Sequence, residues 1–319
     1  MVRLKMTEKV EELKGIGKNS LVYIVLLNYN GTRDTVDCIQ SLLGLDYPNY
    51  RILVIDNGSM VSCVAEVKKA FPQVEAIDSG GNLGFAGGCN LGIRIALEQG
   101  AEYVWLLNND TVVEKETLTA LVRGLEADQK CGIMGSKILD HRTGRIDSAG
   151  GRIFPFILLH GWTENTGRGE TDRGQYDQDR EVDYAPGASM LVRGVAIRET
   201  GMMEERYFLY FEETDWCLRM KKKGWKIRYS HHSVVYHKGS QSVGGRTPLQ
   251  NYYCARNGLF FIRSFYPWLL WTALYWWPRY FGVNHWLHGR RIHLRYCKQA
   301  FWDFIHNKSG KIVEGMTVD

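Results

Sequence analysis

The first apolar block of the chain is LVYIVLLNYN, a run from Leu21 rich in β-branched residues that stops abruptly at polar ones. A segment buried on both faces reads this way, so it predicts a strand of a largely parallel sheet. Val36, Ile39, Leu42 and Leu43 follow at helical spacing. YRILVIDNGS then supplies a second strand, 61–71 a second helix and VEAID a third, short strand. Residues 90–99 read as a helix, EYVWLLNND as a fourth strand and 114–127 as a further helix. Strands alternating with helices imply βαβ units and right-handed crossovers. No period of about 20–50 residues recurs, which excludes a solenoid.

Beyond Gly150 the pattern weakens. Residues 162–183 form a polar, Gly- and Arg-rich stretch that predicts a mobile loop, either a solvated linker or a lid over a site. After it come a strand-like YAPGASMLV, a helix opening near FEETDWCLRMKKKGW, and a short strand ending at Tyr236 and His237. The last segment, 251–319, holds six of the ten tryptophans (Trp268, Trp271, Trp276, Trp277, Trp286, Trp302) and nine basic residues. Its most apolar stretch, 265–277 between Arg263 and Arg279, is shorter than the roughly 20 residues a spanning helix needs. Aromatic rings flanked by arginines suit a helix lying in a membrane interface; a helix packed on the preceding domain, or on a second copy in a homodimer, fits the same pattern. The expected organisation is an extension over 1–19, a catalytic domain over 20–250 and a helical region over 251–319.

Composition narrows the classes. In 319 residues, 45% apolar and 24% charged side chains describe a folded chain rather than a disordered one. Seven cysteines without a C-x-x-C pair write neither a disulfide framework nor a zinc knuckle, so reduced thiols are expected. The N-terminus alternates charges and lacks an apolar h-region, which predicts a cytoplasmic protein. Net charge divides sharply after Asp215: 23 Lys and Arg against 32 Asp and Glu before it, 17 against 3 beyond it. That asymmetry suggests an anionic partner for the last third, an anionic membrane surface or nucleic acid. Nucleic acid ranks last, because the acidic part holds most of the structured motifs.

Candidate chemistry sits at the strand ends: Asn28-Tyr29-Asn30, Asp56-Asn57 and Asn108-Asn109-Asp110. Singly, each reads equally well as a loop opener or helix cap. Together they occupy the place where open α/β sheets bind ligands, outside the carboxyl ends of their strands. Neither G-x-G-x-x-G after the first strand nor a P-loop is present, which argues against a Rossmann oxidoreductase and a P-loop NTPase. A glycine-rich run, Gly80 to Gly88, instead follows the third strand, where missing side chains let backbone approach a flat ligand.

Seven motifs in order, LLNYNG, VIDNGS, NLGFAGGCNLG, LLNNDT, PGASMLVR, FLYFEETDWCLRMKKKGW and VVYHKGSQS, resemble the family 2 inverting nucleotide-sugar glycosyltransferases of GT-A fold, and within them the rhamnosyltransferase-like branch. The likeness spans 21–245. It implies an α/β fold with a Rossmann-like, mostly parallel sheet flanked by helices. It also implies that Asn28, Asn30 and Asp56 hold nucleobase and ribose, that Asn82 and Gly84 lie against the nucleoside, and that Asn90 braces the following helix. The family's Asp-x-Asp-like motif begins here with Asn108 on the nucleotide side, leaving Asp110 as its one carboxylate, with His237 as second ligand to Mn²⁺ or Mg²⁺. Few protein ligands suffice when substrate phosphates complete the shell, and an imidazole ligand leans toward Mn²⁺.

By the same resemblance Glu213 is the general base, Asp215 supports it, and Gly187 and Ala188 leave room for the acceptor. Helix-start chemistry with an Asp215–Arg219 pair accounts for the acids as well, while their crowding raises at least one pKa toward that of a useful base. The implied reaction moves a sugar, first rhamnose from dTDP-rhamnose with UDP-hexoses as alternatives, onto a glycan or lipid-linked acceptor in cell-surface polysaccharide synthesis. Asn108 in place of an aspartate motivates the competing reading, a non-catalytic nucleotide-sugar-binding module.

Overall fold

A computed structural model describes residues 20–154, 163–239 and 247–312. The expected extension 1–19, Trp162 at the head of the polar stretch, the end of the VVYHKGSQS motif from Ser240 and the last residues 313–319 lie outside the described residues.

The strands are β1 (Val22–Asn28), β2 (Tyr50–Asp56), β3 (Glu75–Asp78), β4 (Tyr103–Asn108), β5 (Thr111–Val113), β6 (Cys131–Asp140), β7 (Ile146–Ser148), β8 (Gly151–Ile153), β9 (Thr163–Asn165), β10 (Arg180–Glu181), β11 (Ser189–Arg193) and β12 (Lys226–His237). The helices are α1 (Thr32–Leu42), α2 (Val64–Ala70), α3 (Gly84–Glu98), α4 (Thr117–Glu126), α5 (Gly194–Thr200), α6 (Glu212–Lys222), α7 (Pro248–Phe265), α8 (Leu270–Pro278), α9 (Asn284–Leu287) and α10 (Arg291–Ile305). The main sheet runs β10-β12-β6-β11-β4-β1-β2-β3, with β5 on β12 and β7 on β6. β3, β2, β1 and β4 are mutually parallel, as are β6 and β12, while β11 is antiparallel to both its neighbours. The fold is thus α/β with a mostly parallel, GT-A-type sheet, interrupted by one reversed central strand.

The apolar run of β1 feeds both faces. Tyr23 and Val25 join one core with Ala86, Cys89, Ile93 and Ala96 of α3 and with Trp216, Cys217 and Met220 of α6. Val22, Ile24 and Leu26 join the opposite core with Cys38, Ile39 and Leu42 of α1 and with Leu118, Leu121 and Leu125 of α4. Burial on both sides is why β1 shows no alternation. Helix α3 starts six residues before the expected 90–99. The glycines that argue against a helix by propensity are what let α3 press on the sheet, since a β-carbon at Gly88 would collide with Leu27 of β1.

Two further differences bear on the site. β6, CGIMGSKILD, carries no sequence signal because Gly132, Gly135 and Lys137 break its apolar run, yet it is central and almost wholly buried. The polar stretch is fastened down rather than loose. β9 pairs with β8 and β10 with β12, and the buried Lys137 ammonium bonds Asp172 at 2.8 Å and Asp177 at 2.5 Å. Backbone pairing and the two ion pairs of the buried Lys137 supply the order that apolar content does not.

Helix α7 opens with a capping box, Thr247 with Gln250, and Pro248 at its first turn. It therefore begins three residues ahead of the expected boundary at 251. Tyr252, Tyr253, Phe260 and Phe261 of α7 form a third core with Ala300 and Phe304 of α10 and with Tyr207. The C-terminal helices are consequently built onto the segment just before α6.

Candidate active site

The tips of β1, β2 and β4 lie side by side, with Asn28 level with Asp56 and Leu27 with Asn108. Asn28 is fully buried, and its amide is spent inside the protein. Nδ2 donates to Asp56 Oδ2 (2.9 Å) and Ser59 Oγ (3.1 Å), while Oδ1 accepts from Gly31 N (3.1 Å), Thr35 Oγ1 (3.0 Å) and Asn109 Nδ2 (3.2 Å). Asn30 stands in the left-handed region (φ 57°), with Oδ1 accepting from Met60 N at 2.8 Å and its own N–H donating to Ser59 Oγ. Burial pushes the Asp56 pKa up. Hydrogen bonds from Cys63 and Ser59 backbone and from Asn28 outweigh it and hold the carboxyl below its usual range. Two strand tips are therefore locked to each other around one ionised carboxylate.

The glycine-rich run folds over these tips. Asn57 Oδ1 accepts from Leu83 N (3.0 Å) and its Nδ2 donates to Gly84 O (3.1 Å), while Asn82 Oδ1 accepts from Gly84 N (2.9 Å). Gly84 has φ +76° and would drive any β-carbon into the Phe208 carbonyl, so both conformation and space demand glycine there. Asn57 was not singled out by the sequence for a role of its own; its place beside Asp56 was the available signal. Asn90 lies inside α3 rather than ahead of a helix, and it bonds Met203 N and O and Glu205 Oε1, tying α3 to the segment before α6.

At the end of β4, Asp110 Oδ1 lies 3.2 Å from His237 Nε2, and Asn108 Nδ2 lies 3.4 Å from the same nitrogen. The other imidazole nitrogen, Nδ1, is 3.4 Å from Asp147 Oδ2 on β7. Burial alone would lower the His237 pKa, but the two flanking carboxylates win and push it up to about 10. Burial likewise opposes ionisation of Asp110, and His237 overcomes it, so the Asp110 pKa is lowered. The sequence brings Asp110 and His237 together as expected; Asp147 was missed, because β7 is too short to announce itself. Among the described residues no group of three or more His, Cys, Asp or Glu side chains is arranged to hold a metal. A carboxylate and an imidazole at this distance could serve as two ligands to a hard divalent ion whose remaining oxygens came from a diphosphate and water.

The acids at the head of α6 have divergent surroundings. Glu212 is buried, its Oε2 has no partner, and burial, with the neighbouring Glu213 charge, raises its pKa well above the ordinary range. Glu213 also keeps a buried, unpartnered Oε2, and burial raises its pKa. Asp215 is committed elsewhere, accepting from Tyr207 Oη (3.0 Å) and Arg219 Nε (2.5 Å); burial still holds its pKa up against the arginine. Gly187 sits between these acids and α3: a β-carbon there would lie 3.2 Å from the Phe85 ring and 4.0 Å from Glu213 Cβ. The next residue, Ala188, accepts from Asn108 N at 3.0 Å, which ties the acid cluster to the tip of β4.

The segment feeding α6, FLYF, is strained. Phe208 (φ 65°), Tyr210 (φ 69°) and Phe211 (φ 78°) are all left-handed, and non-glycine residues held so cost on the order of 1–3 kcal/mol each. Phe208 is the centre of a tight three-residue turn closed by Leu209 N to Tyr207 O at 2.7 Å. Strain of this kind, directly before carboxyls that each keep one unpartnered oxygen, makes 208–211 a candidate functional segment.

Comparison with known proteins bears on the family and the fold. Over 210 residues the chain is 26% identical to the low-salt glycan biosynthesis hexosyltransferase Agl10 of Haloferax volcanii, covering 64% of this chain and 62% of that one. It is 27% identical over 210 residues to N-acetylglucosaminyl-diphospho-decaprenol L-rhamnosyltransferase of Mycobacterium tuberculosis, covering 60% and 68%. With dTDP-rhamnosyl transferase RfbF of Shigella flexneri it shares 25% over 259 residues, covering 77% and 81%. Among solved structures, S. aureus TarS superposes with a TM-score of 0.53 at 16% identity over 76% of this chain and 39% of that one. GalNAc-T7 with UDP, GalNAc and Mn²⁺ gives 0.55 at 14% identity over 74% and 48%. These likenesses carry the fold alone. The model of glycosyl transferase family 2 matches residues 23–198, more than half of the sequence, and the chain therefore belongs to that family.

Proposed function

We propose that this protein is an inverting, metal-dependent glycosyltransferase that moves a sugar from a nucleotide diphosphate to a glycan or lipid-linked acceptor in cell-surface polysaccharide synthesis. The observation that carries the reading is the buried, unpartnered Oε2 of Glu213, reached through Gly187 and Ala188 from the β4 tip that bears Asp110. A rhamnosyl donor, dTDP-rhamnose, is favoured over UDP-hexoses by the names of the Mycobacterium and Shigella relatives.

In this mechanism Glu213 takes the proton of the acceptor hydroxyl as its oxygen attacks the anomeric carbon, and the bond to the diphosphate breaks on the opposite face, inverting configuration. Burial serves the base by bringing its pKa toward working pH; such catalysis contributes roughly 10²–10⁴-fold. Glu212, higher still in pKa, stays protonated beside it and leaves Glu213 the negative charge. Asp215 acts at one remove, fixing the start of α6 through Tyr207 and Arg219. Asp56 would accept from nucleobase or ribose donors, Asn28 shapes the tip around it, and Asn30, Asn82 and Gly84 line the nucleoside. Asp110 and His237 would hold Mn²⁺ or Mg²⁺, with Asn108 beside them; a bound cation neutralises charge on the departing diphosphate. Asp147, bonding Nδ1 of His237, would hold the ring with Nε2 toward Asp110 and so support it as a ligand.

Among the described residues no helix is long and apolar enough to cross a membrane. The C-terminal helices nevertheless expose Trp268 (70%), Trp271 (81%), Trp286 (69%) and Trp302 (57%) among arginines. Such a surface fits the headgroup layer of an anionic membrane, here the inner face carrying a lipid-linked acceptor.

Titration calorimetry with dTDP and UDP, with and without Mn²⁺, followed by donor turnover, tests the reading. Metal-linked nucleotide binding with sugar transfer supports it. Binding without transfer or donor hydrolysis, across a broad acceptor panel, turns the protein into the non-catalytic module that Asn108 suggests.

A further inference from the structure

The strained FLYF segment is held from outside the catalytic domain. Asn257 of α7 is wholly buried, and its Nδ2 lies 2.8 Å from Tyr207 O, 2.8 Å from Leu209 O and 2.9 Å from Tyr210 O, three carbonyl contacts around the left-handed residues. Beside it the buried Arg256 guanidinium bonds Tyr207 O (3.2 Å) and Arg206 O (3.5 Å) through Nη2, and Tyr252 Oη (3.0 Å) and Gly310 O (2.8 Å) through Nη1. Its Nε donates to Asn257 Oδ1 at 3.0 Å, which fixes the amide with its NH₂ toward the segment. The cation is matched at one remove, since Tyr252 Oη donates to the buried Asp303 carboxylate at 2.7 Å. From the other side, Phe85 N donates to Phe208 O at 2.6 Å at the start of α3.

We infer that Arg256 and Asn257 are positioning residues for catalysis: they hold residues 207–211 in the strained shape that presents Glu213. This rests on the assignment of Glu213 as base. A left-handed run of Phe, Tyr and Phe persists only where its surroundings over-determine it, and carbonyls turned inward need fixed donors once water is gone. Both conditions are met here by two adjacent side chains of the C-terminal region. That region is thereby a part of the active site's framework, whatever its aromatic face touches.

The test is the full-length Asn257→Asp variant. It removes the NH₂ donor and sets a carboxylate against the carbonyls, while Arg256 keeps its acceptor. Asn257→Ser is the milder companion should the first fail to fold. Hydrogen–deuterium exchange in peptides covering 206–214 should quicken ten-fold or more while those of β1 and β4 keep wild-type rates. Affinity for dTDP with Mn²⁺ should stay within two-fold, and turnover of dTDP-rhamnose, with water or an acceptor, should fall ten- to hundred-fold. Wild-type exchange in 206–214 overturns the inference. So does faster exchange spread evenly over β1 and β4, which would make Asn257 a residue of general stability. A wild-type protein without transfer activity would sink the glycosyltransferase reading, yet the exchange comparison would still decide whether α7 holds the segment.

Discussion

Asp147 lies against Nδ1 of His237 at 3.4 Å, on the side of the ring opposite Asp110. A carboxylate in this place fixes which nitrogen carries a proton and which way the ring points. Asp147→Asn should therefore weaken Mn²⁺ affinity by about 10–100-fold while leaving metal-free dTDP binding within two-fold. Calorimetric titration of Mn²⁺ into the dTDP complex measures it. Unaltered metal affinity would remove Asp147 from the ligand-supporting set.

Glu213→Gln keeps the shape of the side chain and loses its basicity. Turnover should drop by roughly 10²–10⁴-fold with unchanged nucleotide affinity. In the wild type the acid limb of the rate profile should lie above the ordinary carboxylate range, because burial raises the Glu213 pKa and activity is lost as pH falls through it. Retained turnover in the variant would move the assignment to another group, with Asp215 the next to test.

Glu212 makes a prediction about stability rather than rate. Its pKa is raised in the folded state by burial and by the Glu213 charge. Its contribution is thus fully present below the unfolded value of about 4.3 and is lost as pH climbs through the folded pKa. Glu212→Gln should melt at a higher temperature than wild type near pH 8 and show little difference near pH 4. Equal shifts at both pH values would contradict the burial of a carboxyl with one oxygen unpartnered.

Trp268 and Trp271 sit on the exposed face of the C-terminal helices. Replacing both with alanine should reduce co-sedimentation with vesicles rich in anionic phospholipid several-fold, without altering dTDP affinity. Unchanged sedimentation, or a change in oligomeric state instead, would assign that face to a second copy of the chain.

The pairing of Asp110 with His237 came only with the family resemblance, whereas the alternation of strand and helix and the acids before DWCLR could be read directly from the chain. Each is a local pattern, a periodicity or a motif whose residues carry their chemistry with them. The wholly apolar β1 announces burial on two faces, and the structure covers it on both. β6 could not be read this way, because its glycines and Lys137 look unfit for a core until Asp172 and Asp177 arrive from a stretch more than thirty residues away in sequence to neutralise the ammonium. The same holds for 163–183, whose order comes from partners on β8 and β12 rather than from its own residues.

At the site, residue types named the acids, and only the family resemblance ranked them, with Glu213 as base and Asp215 in support. Glu212, Glu213 and Asp215 look alike in a string; burial without a partner and an ion pair with Arg219 separate them, and those are properties of packing. Nor does anything near FLYF reveal that its backbone is left-handed, or that Asn257, forty-six residues beyond Phe211, would bond its carbonyls. Residue types fix what chemistry is available, because donors, acceptors and charges are intrinsic to side chains. Which of them are desolvated, paired or left bare depends on neighbours distant in sequence, and only the folded arrangement supplies those.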